Sequence, residues 1–331
     1  MRKLASVKVI KDKKPIEGAD RIEAVQIDWW WCVAKKDEFQ VGEKCIYCEV
    51  DSVLPIREEY EFLRKSCYVK KDWIEGFRLR SIKLKKQLSQ GLVMPIGKFA
   101  DMEIGTDLTE ILGVKKWDPP VPACLAGEAK GNFPSWISKT DQERVQSFYD
   151  ELVANYKEHF WEGSLKMDGS SLSLYVYNDT SGVCSRNIEL KTGEENANNT
   201  FVQIYHKYID KIKSLGRNIG IAGELLAPKI QGNREGLLQA ELFVFDMFDI
   251  DKQQYLVSEE RYQICKQLGL VHVPVINPSI QILKYSLEQI LEMSDIPSMN
   301  HSIAEGIVYK SLQDPSVSFK AINNKFLLKE E

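Results

Sequence analysis

The chain has 331 residues, more than one core usually organises, so two domains are expected; 44% hydrophobic and 28% charged residues are ordinary for a soluble globular protein. No apolar run approaches the roughly 18 residues of a membrane span, and the N-terminal Met-Arg-Lys-Leu-Ala-Ser has no apolar segment behind its charges, which argues against a membrane or secreted protein and for a cytoplasmic one. The net charge of −4 hides an asymmetry: residues 1–118 carry 23 Lys+Arg against 20 Asp+Glu, and the remainder 21 against 28.

In chain order, the first hundred or so residues read as β-rich. Residues 24–28, 29–34, 44–50 and 77–84 have strand character, separated by Gly, Asp and Lys clusters. Several short strands in about 110 residues suggest a small barrel, of which an OB-fold is the commonest with nucleic-acid partners. In the tryptophan run 29–31, alternate members belong in a core, with base stacking as the functional alternative. Between 61 and 100 there are ten basic and three acidic residues, and Arg78, Arg80, Lys83, Lys85 and Lys86 alternate in part with Leu79, Ile82 and Leu84. Such a strand face is either solvated surface or a groove that tracks a nucleic-acid backbone. The seven cysteines, at 32, 45, 48, 67, 124, 184 and 265, are odd in number and irregularly spaced, as reduced thiols are. Cys45 and Cys48 form a CxxC with no second pair or nearby histidine, and are assigned to a strand rather than to zinc.

A boundary follows near Trp117, where proline and glycine density marks a linker. The expected division is an OB-fold-like domain over 1–115, a linker over 116–132 and a second domain over 133–331. Thr140 and Glu143 have capping-box spacing, and Val145, Phe148, Tyr149, Leu152, Val153 and Tyr156 share a helical face. Arg144, off that stripe, is either a ligand for an anion or a surface charge. From Trp161 onwards strands and helices mix. Residues 171–177 alternate, 201–215 are helical by the spacing of Ile204, Tyr205, Tyr208, Ile209 and Ile212, and 242–250 form an apolar strand interrupted by Asp246 and Asp249. Helices are expected after Ser258 and Ser286, each serine an N-cap. This half is α+β with antiparallel-type alternation.

It also holds Lys166, in Glu-Gly-Ser-Leu-Lys-Met-Asp-Gly-Ser-Ser. A lysine followed by Asp168 and Gly169 suits nucleophilic chemistry on a phosphate: the glycine lets a nucleotide approach the backbone, and the carboxylate can position the amine or a metal. Alone, Lys-x-Asp-Gly is matched by many surface turns.

Downstream come Ser185-Arg-Asn, Gly223-Glu-Leu-Leu, Phe243-Val-Phe-Asp, Glu305-Gly-Ile-Val-Tyr-Lys and Ser318-Phe-Lys. In that order they resemble the motif series I, Ia, III, IIIa, IV and V of the covalent nucleotidyltransferases, the superfamily of polynucleotide ligases and mRNA capping enzymes. The N-terminal OB-like module, with Arg80-Ser-Ile-Lys-Leu-Lys-Lys-Gln-Leu-Ser-Gln-Gly-Leu and Lys139-Thr-Asp-Gln-Glu-Arg, resembles the RNA ligase 5 group of Deinococcus and Naegleria type. The implied fold is an α+β nucleotidyltransferase (adenylation) domain preceded by an all-β OB-fold-like domain. Classical DNA ligases and capping enzymes place an OB domain after motif V; eleven residues follow Lys320 here, which favours RNA ligase.

The resemblance implies that Lys166 attacks the α-phosphate of ATP to form a lysyl-adenylate, that AMP passes to an RNA 5′-phosphate, and that a 3′-hydroxyl displaces it. It places Glu224 on the ribose, Arg186 on the ribose or the incoming 3′-end, and Phe245 on adenine, although Phe243 has similar chemistry. Leu165 and Arg144 join the nucleotide-binding set, Asp246 faces the terminal nucleotide, and Lys310 and Lys320 face the α-phosphate. Glu305 binds the metal, Mg²⁺ or Mn²⁺, and Asp168 orients the lysine directly or through metal-bound water. Because a lysine of pKa near 10.4 is mostly protonated at pH 7, the site must favour the free amine, through metal and Lys320 repulsion and burial. The implied partner is RNA, as a nicked duplex or an RNA–DNA hybrid, and the implied state a monomer with no membrane association.

Two features depart from the patterns. Ile322 stands where some RNA ligases have a second motif V lysine, leaving Lys325 as a substitute. Glu162 lies four residues before Lys166, with Ser164 in the slot of the adenine-selecting glutamate of DNA ligases, so ATP over GTP rests on the resemblance. The competing readings are an ATP-dependent DNA ligase or GTP-dependent capping enzyme, and a non-catalytic nucleic-acid-binding protein.

Overall fold

The computed structural model describes residues 3–71, 74–118, 125, 127–139 and 141–329. It divides into two compact units, Met1–Pro120 with Leu327–Glu331, and Val121–Phe326.

The first unit is built from short strands. β1 (Ala5–Pro15), β2 (Ile22–Ile27), β3 (Trp30–Lys35) and β4 (Lys44–Cys48) join β10 (Leu92–Pro95) in a five-stranded sheet of order β10-β4-β1-β2-β3. β5 (Ser52–Leu54), β6 (Tyr68–Lys71), β7 (Ile74–Arg78) and β11 (Lys115–Lys116) form a second sheet, and β8 (Ser81–Leu84) pairs with β9 (Gln87–Gln90) as a hairpin. The period of two puts Ile10, Val25, Ile27, Trp30 and Cys32 together in a core, with Cys45 and Tyr47. Trp30 is therefore core, whereas Trp29 and Trp31 are only partly buried, with the ammonium groups of Lys11 and Lys14 5.4 and 4.0 Å from their ring centres. Cys45 and Cys48 lie on β4, and both thiols are buried.

The single strand expected over 77–84 is two. Leu79 turns inward to 3% exposure, its N–H donating to Ser52 O (2.8 Å) and its carbonyl accepting from Asp51 N–H (2.9 Å), so β7 stops at Arg78 and the chain re-emerges as the hairpin.

The second unit pairs two sheets. The larger contains β12 (Ala129–Asn132), β15 (Ser170–Tyr177), β16 (Thr180–Cys184), β17 (Ile188–Leu190), β18 (Ile219–Leu226), β19 (Glu241–Asp249), β20 (Gln254–Tyr255) and β21 (Val271–His272). The smaller has the order β13-β24-β23-β14-β22, from β13 (Glu143–Arg144), β14 (Trp161–Lys166), β22 (Val275–Ile280), β23 (Gly306–Ser311) and β24 (Ser318–Ile322). Of the segment 116–132 expected as a linker, residues 119–124 and 126 lie outside the described residues, and its end is β12, hydrogen-bonded to β17.

Long helices pack on the larger sheet. The helix α2 (Thr200–Lys213) lays Ile204, Tyr205, Tyr208, Ile209 and Ile212 into one core with Leu174, Val183 and Ile221. Burial of that stripe, at roughly 1.5–3 kcal/mol per large side chain, rather than propensity, fixes the helix. Ser286 caps α4 (Leu287–Met293) through a capping box with Gln289, but α3 (Ser258–Leu268) has Val257 at its N-cap, and Ser258 is its first helical residue. The helix expected from a cap at Thr140 starts later, as α1 (Tyr149–Tyr156). Thr140 lies outside the described residues, and Glu143 and Arg144 are instead strand, pairing in parallel with Phe319 and Lys320. Among the described residues no helix is long and apolar enough to cross a membrane.

Candidate active site

β14, between β23 and β22 in the smaller sheet, is buried along its length up to Leu165 and delivers Lys166 at its end, opposite Gly306 of β23. Gly306 has no substitute there: an added Cβ would stand 2.1 Å from Ala321 O. The register thereby sets Glu305 beside the lysine, and Lys166 Nζ donates to Glu305 Oε2 at 2.7 Å. The chain then turns through Asp168 into Gly169, whose N–H donates to Glu224 Oε1 of β18 at 3.1 Å. A Cβ at Gly169 would lie 2.6 Å from Leu225 O, so only glycine lets the turn sit against β18.

Three carboxylates, Asp168, Glu224 and Glu305, thus surround one lysine. Burial works against the Lys166 charge, yet Glu305, Glu224 and Asp168 outweigh it and hold its pKa above the ordinary lysine range. Burial raises Glu224 to about 7, with Glu305 adding to the rise and Lys166 opposing it. Asp168 is raised by burial and by Glu305, while the Arg234 guanidinium, 3.7 Å away, opposes. Lys320 on β24 is pushed down to about 8 by burial and then by Lys166. Among the chain's own groups, then, the carboxylates favour the charged form of Lys166, and Lys320 is the lysine whose proton is loosened.

Arg144 pairs backbone to backbone with Lys320, which places both at one end of the smaller sheet. Asp141 joins them, 4.0 Å from Lys320 Nζ and 3.0 Å from an Arg186 nitrogen. Lys310 and Asp246 form a buried ion pair, and Lys310 Nζ donates to Phe245 O at 3.4 Å. Phe243 and Phe245 are distinguished by a β-bulge between the Gly223–Val244 and Ala222–Asp246 pairs. Phe245 is the extra residue; Phe243 is 7% exposed in the core with Leu165, Met167 and Val273, and Phe245 packs partly buried on its edge. Bulges re-aim side chains in this way beside active sites. The Leu165 side chain belongs to that core too, and its N–H donates to Pro274 O.

Other residues gave no motif signal. Arg234 ties the lysine loop to the Glu305 segment, approaching Asp168 and donating to Ile303 O at 3.0 Å. Glu162, on β14, is engaged by Arg261 and by Tyr262 Oη (2.6 Å). Lys325 pairs with Asp295, and Ile322 is buried. The carboxylates fit a hard divalent cation: oxygen donors facing one another, with Asp168 and Glu224 raised partly by Glu305, are what such a charge relieves. Among the described residues no group of three or more His, Cys, Asp or Glu side chains is arranged to hold a metal ion.

Comparison with known proteins agrees with this arrangement. A family model described as an OB-fold domain matches residues 4–96, and one described as RNA ligase matches residues 160–322. Among curated proteins no match was found. Several solved structures of Naegleria gruberi RNA ligase are 40% identical to the chain. A mutant in its apo form covers 99% of this chain and 98% of its own at a TM-score of 0.86. The form with PPi covers 100% and 99% at 0.85, and a mutant with ATP and Mn covers 99% and 99% at 0.87. At 40% identity over nearly the whole of both chains, the chain belongs to the RNA ligase family.

Proposed function

We propose that this chain is an ATP-dependent RNA ligase that joins a 3′-hydroxyl to a 5′-phosphate at nicks in duplex RNA, with Lys166 as its nucleophile. The observation that carries the reading is the Lys166–Glu305 contact at 2.7 Å inside a cluster with Asp168, Glu224 and Lys320. It agrees with the Naegleria gruberi enzyme, whose mutants have been solved with ATP and Mn and with AMP and Mn.

With its proton lost to solvent, the Lys166 amine gives its electron pair to the α-phosphorus of ATP; the N–P bond forms as the P–O bond to pyrophosphate breaks. In the second step the RNA 5′-phosphate oxygen displaces Lys166 from phosphorus, and in the third a 3′-hydroxyl loses its proton and displaces AMP. Glu305 and Asp168 would hold a divalent cation, Mg²⁺ or Mn²⁺, which would supply positive charge to the phosphate and lower the cost of neutral Lys166. The chain's own residues do the rest. Glu224, raised to about 7, accepts from the ribose hydroxyls. Lys320 and Arg144 face the phosphates, Lys310 fixes Asp246 and the Phe245 backbone, and Phe245 stacks on adenine. Arg186, held by Asp141, reaches the ribose or the 3′-end. All of these come from one chain, in keeping with a monomer.

Sealing of nicked duplexes that differ only in the 3′-terminal sugar tests the acceptor. A ribose end should be sealed at least about ten-fold faster than a deoxyribose end, since a site that reads the 2′-hydroxyl is left with an unpaired group in its absence. Equal rates would move the assignment to DNA ligase, and faster joining of single strands would remove the nick from it.

A further inference from the structure

We propose that the β8–β9 hairpin contacts the phosphate backbone of the RNA substrate through Lys85 and Lys86 at its tip. Leu84 pairs with Gln87 across a two-residue turn, and both turn residues have positive φ, 50° at Lys85 and 69° at Lys86. Two consecutive left-handed residues are the type I′ class, which suits the twist of a hairpin but which Asn and Gly enter far more easily than a long side chain. Here two lysines occupy it. Both are exposed, and among the described residues neither forms an ion pair or a side-chain hydrogen bond. The strain therefore secures no contact within the fold; it secures two ammonium groups on a projecting support.

The support is firm at its base. Ser89 and Gln90 are buried; Ser89 Oγ accepts from Val33 N–H at 2.9 Å, and Gln90 O accepts from Tyr47 Oη at 3.0 Å. Along this stretch of chain the charge is of one sign. Between Glu75 and Asp101 the chain has no acidic residue, and it has Arg78, Arg80, Lys83, Lys85, Lys86 and Lys98. An ordered tip carrying adjacent cations fits a polyanion of regular phosphate spacing. A membrane surface would call for several apolar side chains beside the lysines, and among the exposed large hydrophobics only Leu84, at 37%, lies on the hairpin. The proposal rests on the RNA-ligase reading for the identity of the polyanion.

Two variants of the full chain separate charge from strain. Lys85→Gln/Lys86→Gln removes the charges and keeps the unfavourable turn; Lys85→Asn/Lys86→Gly removes both. Binding to a nicked RNA duplex is measured by fluorescence anisotropy in EDTA from about 50 to about 300 mM salt, alongside Tm and adenylation of the protein by ATP. Both variants should lose about ten-fold in affinity at the lowest salt, and the slope of log affinity against log salt should flatten by about two. The Asn-Gly variant should also melt several degrees higher than wild type. Wild-type-like adenylation in both keeps the result independent of the catalytic assignment, whereas a wild type that neither adenylates nor binds RNA would instead overturn the ligase reading. Undiminished affinity in either variant refutes the contact, as does a loss of affinity without a change in slope. A loss of binding to anionic vesicles with RNA binding intact transfers the tip to a membrane and also refutes it, and a lower Tm for the Asn-Gly variant refutes the strain on which the argument rests.

Discussion

Glu224 offers a test in which stability and function move in opposite directions. Its carboxyl is raised from 4.5 to about 7, first by burial and then by Glu305. Between those values the folded chain holds a proton that the unfolded chain releases, so wild-type stability falls as pH rises from 4.5 towards 7 and stays reduced above it. The size of the rise corresponds to about 3 kcal/mol at pH 8. Glu224→Gln keeps the shape and the oxygen that accepts from Gly169 N–H, and removes the ionisation. The variant should be more stable than wild type at pH 8 by up to about 3 kcal/mol, or roughly 6–12 °C in Tm for a unit of this size, and nearly equal to it at pH 4.5. Its adenylation by ATP should nevertheless fall at least ten-fold, because an amide is a weaker partner than a carboxylate for ribose hydroxyls. Thermal melts of both proteins at pH 4.5, 6 and 8 decide the matter. A destabilised variant at pH 8, or a gain of the same size at every pH, would refute the electrostatic argument.

Lys320, pushed down to about 8 by burial and Lys166, should impose an alkaline limit on adenylation: the rate falls above pH 8 as its charge is lost, and Lys320→Arg moves that limb upward in a pH–rate profile. Gly306→Ala places a Cβ 2.1 Å from Ala321 O and should cost about 1–3 kcal/mol in urea unfolding, with loss of adenylation because β23 presents Glu305. The two phenylalanines should separate cleanly. Phe243→Ala costs about 3–5 kcal/mol of stability as a core truncation, whereas Phe245→Ala leaves Tm nearly unchanged and raises the KM for ATP.

Much of this could be read from residue order alone. Lys166, Glu224 and Lys320 sit on strands and Glu305 immediately precedes one, and although they are far apart in the chain, the resemblance of their motif series grouped them before any distance was known. The helix Thr200–Lys213 was legible because its apolar spacing is local. What escaped was set by distant partners. Glu143 and Arg144 form a two-residue strand created only by pairing with Phe319 and Lys320, so the helix begins later than the apolar stripe from Val145 suggests. Phe243 and Phe245 look equivalent until the bulge separates them. Arg234 reaches Asp168 across 66 positions of chain from within a turn-rich loop, and Asp141 sits between Arg186 and Lys320; neither role has a local pattern. The three carboxylates that hold the Lys166 proton come from three separate segments of chain, so their combined effect on the lysine has no local pattern either.

The central claim is that Lys166 becomes covalently attached to AMP. Intact-protein mass after incubation with ATP or GTP and Mg²⁺ or Mn²⁺, for wild type and Lys166→Ala, tests it most directly. The account predicts an increase of one AMP from ATP in the wild type and none in the variant. An adduct that persists in Lys166→Ala, a GMP adduct in place of AMP, or no adduct with either nucleotide and metal would contradict it.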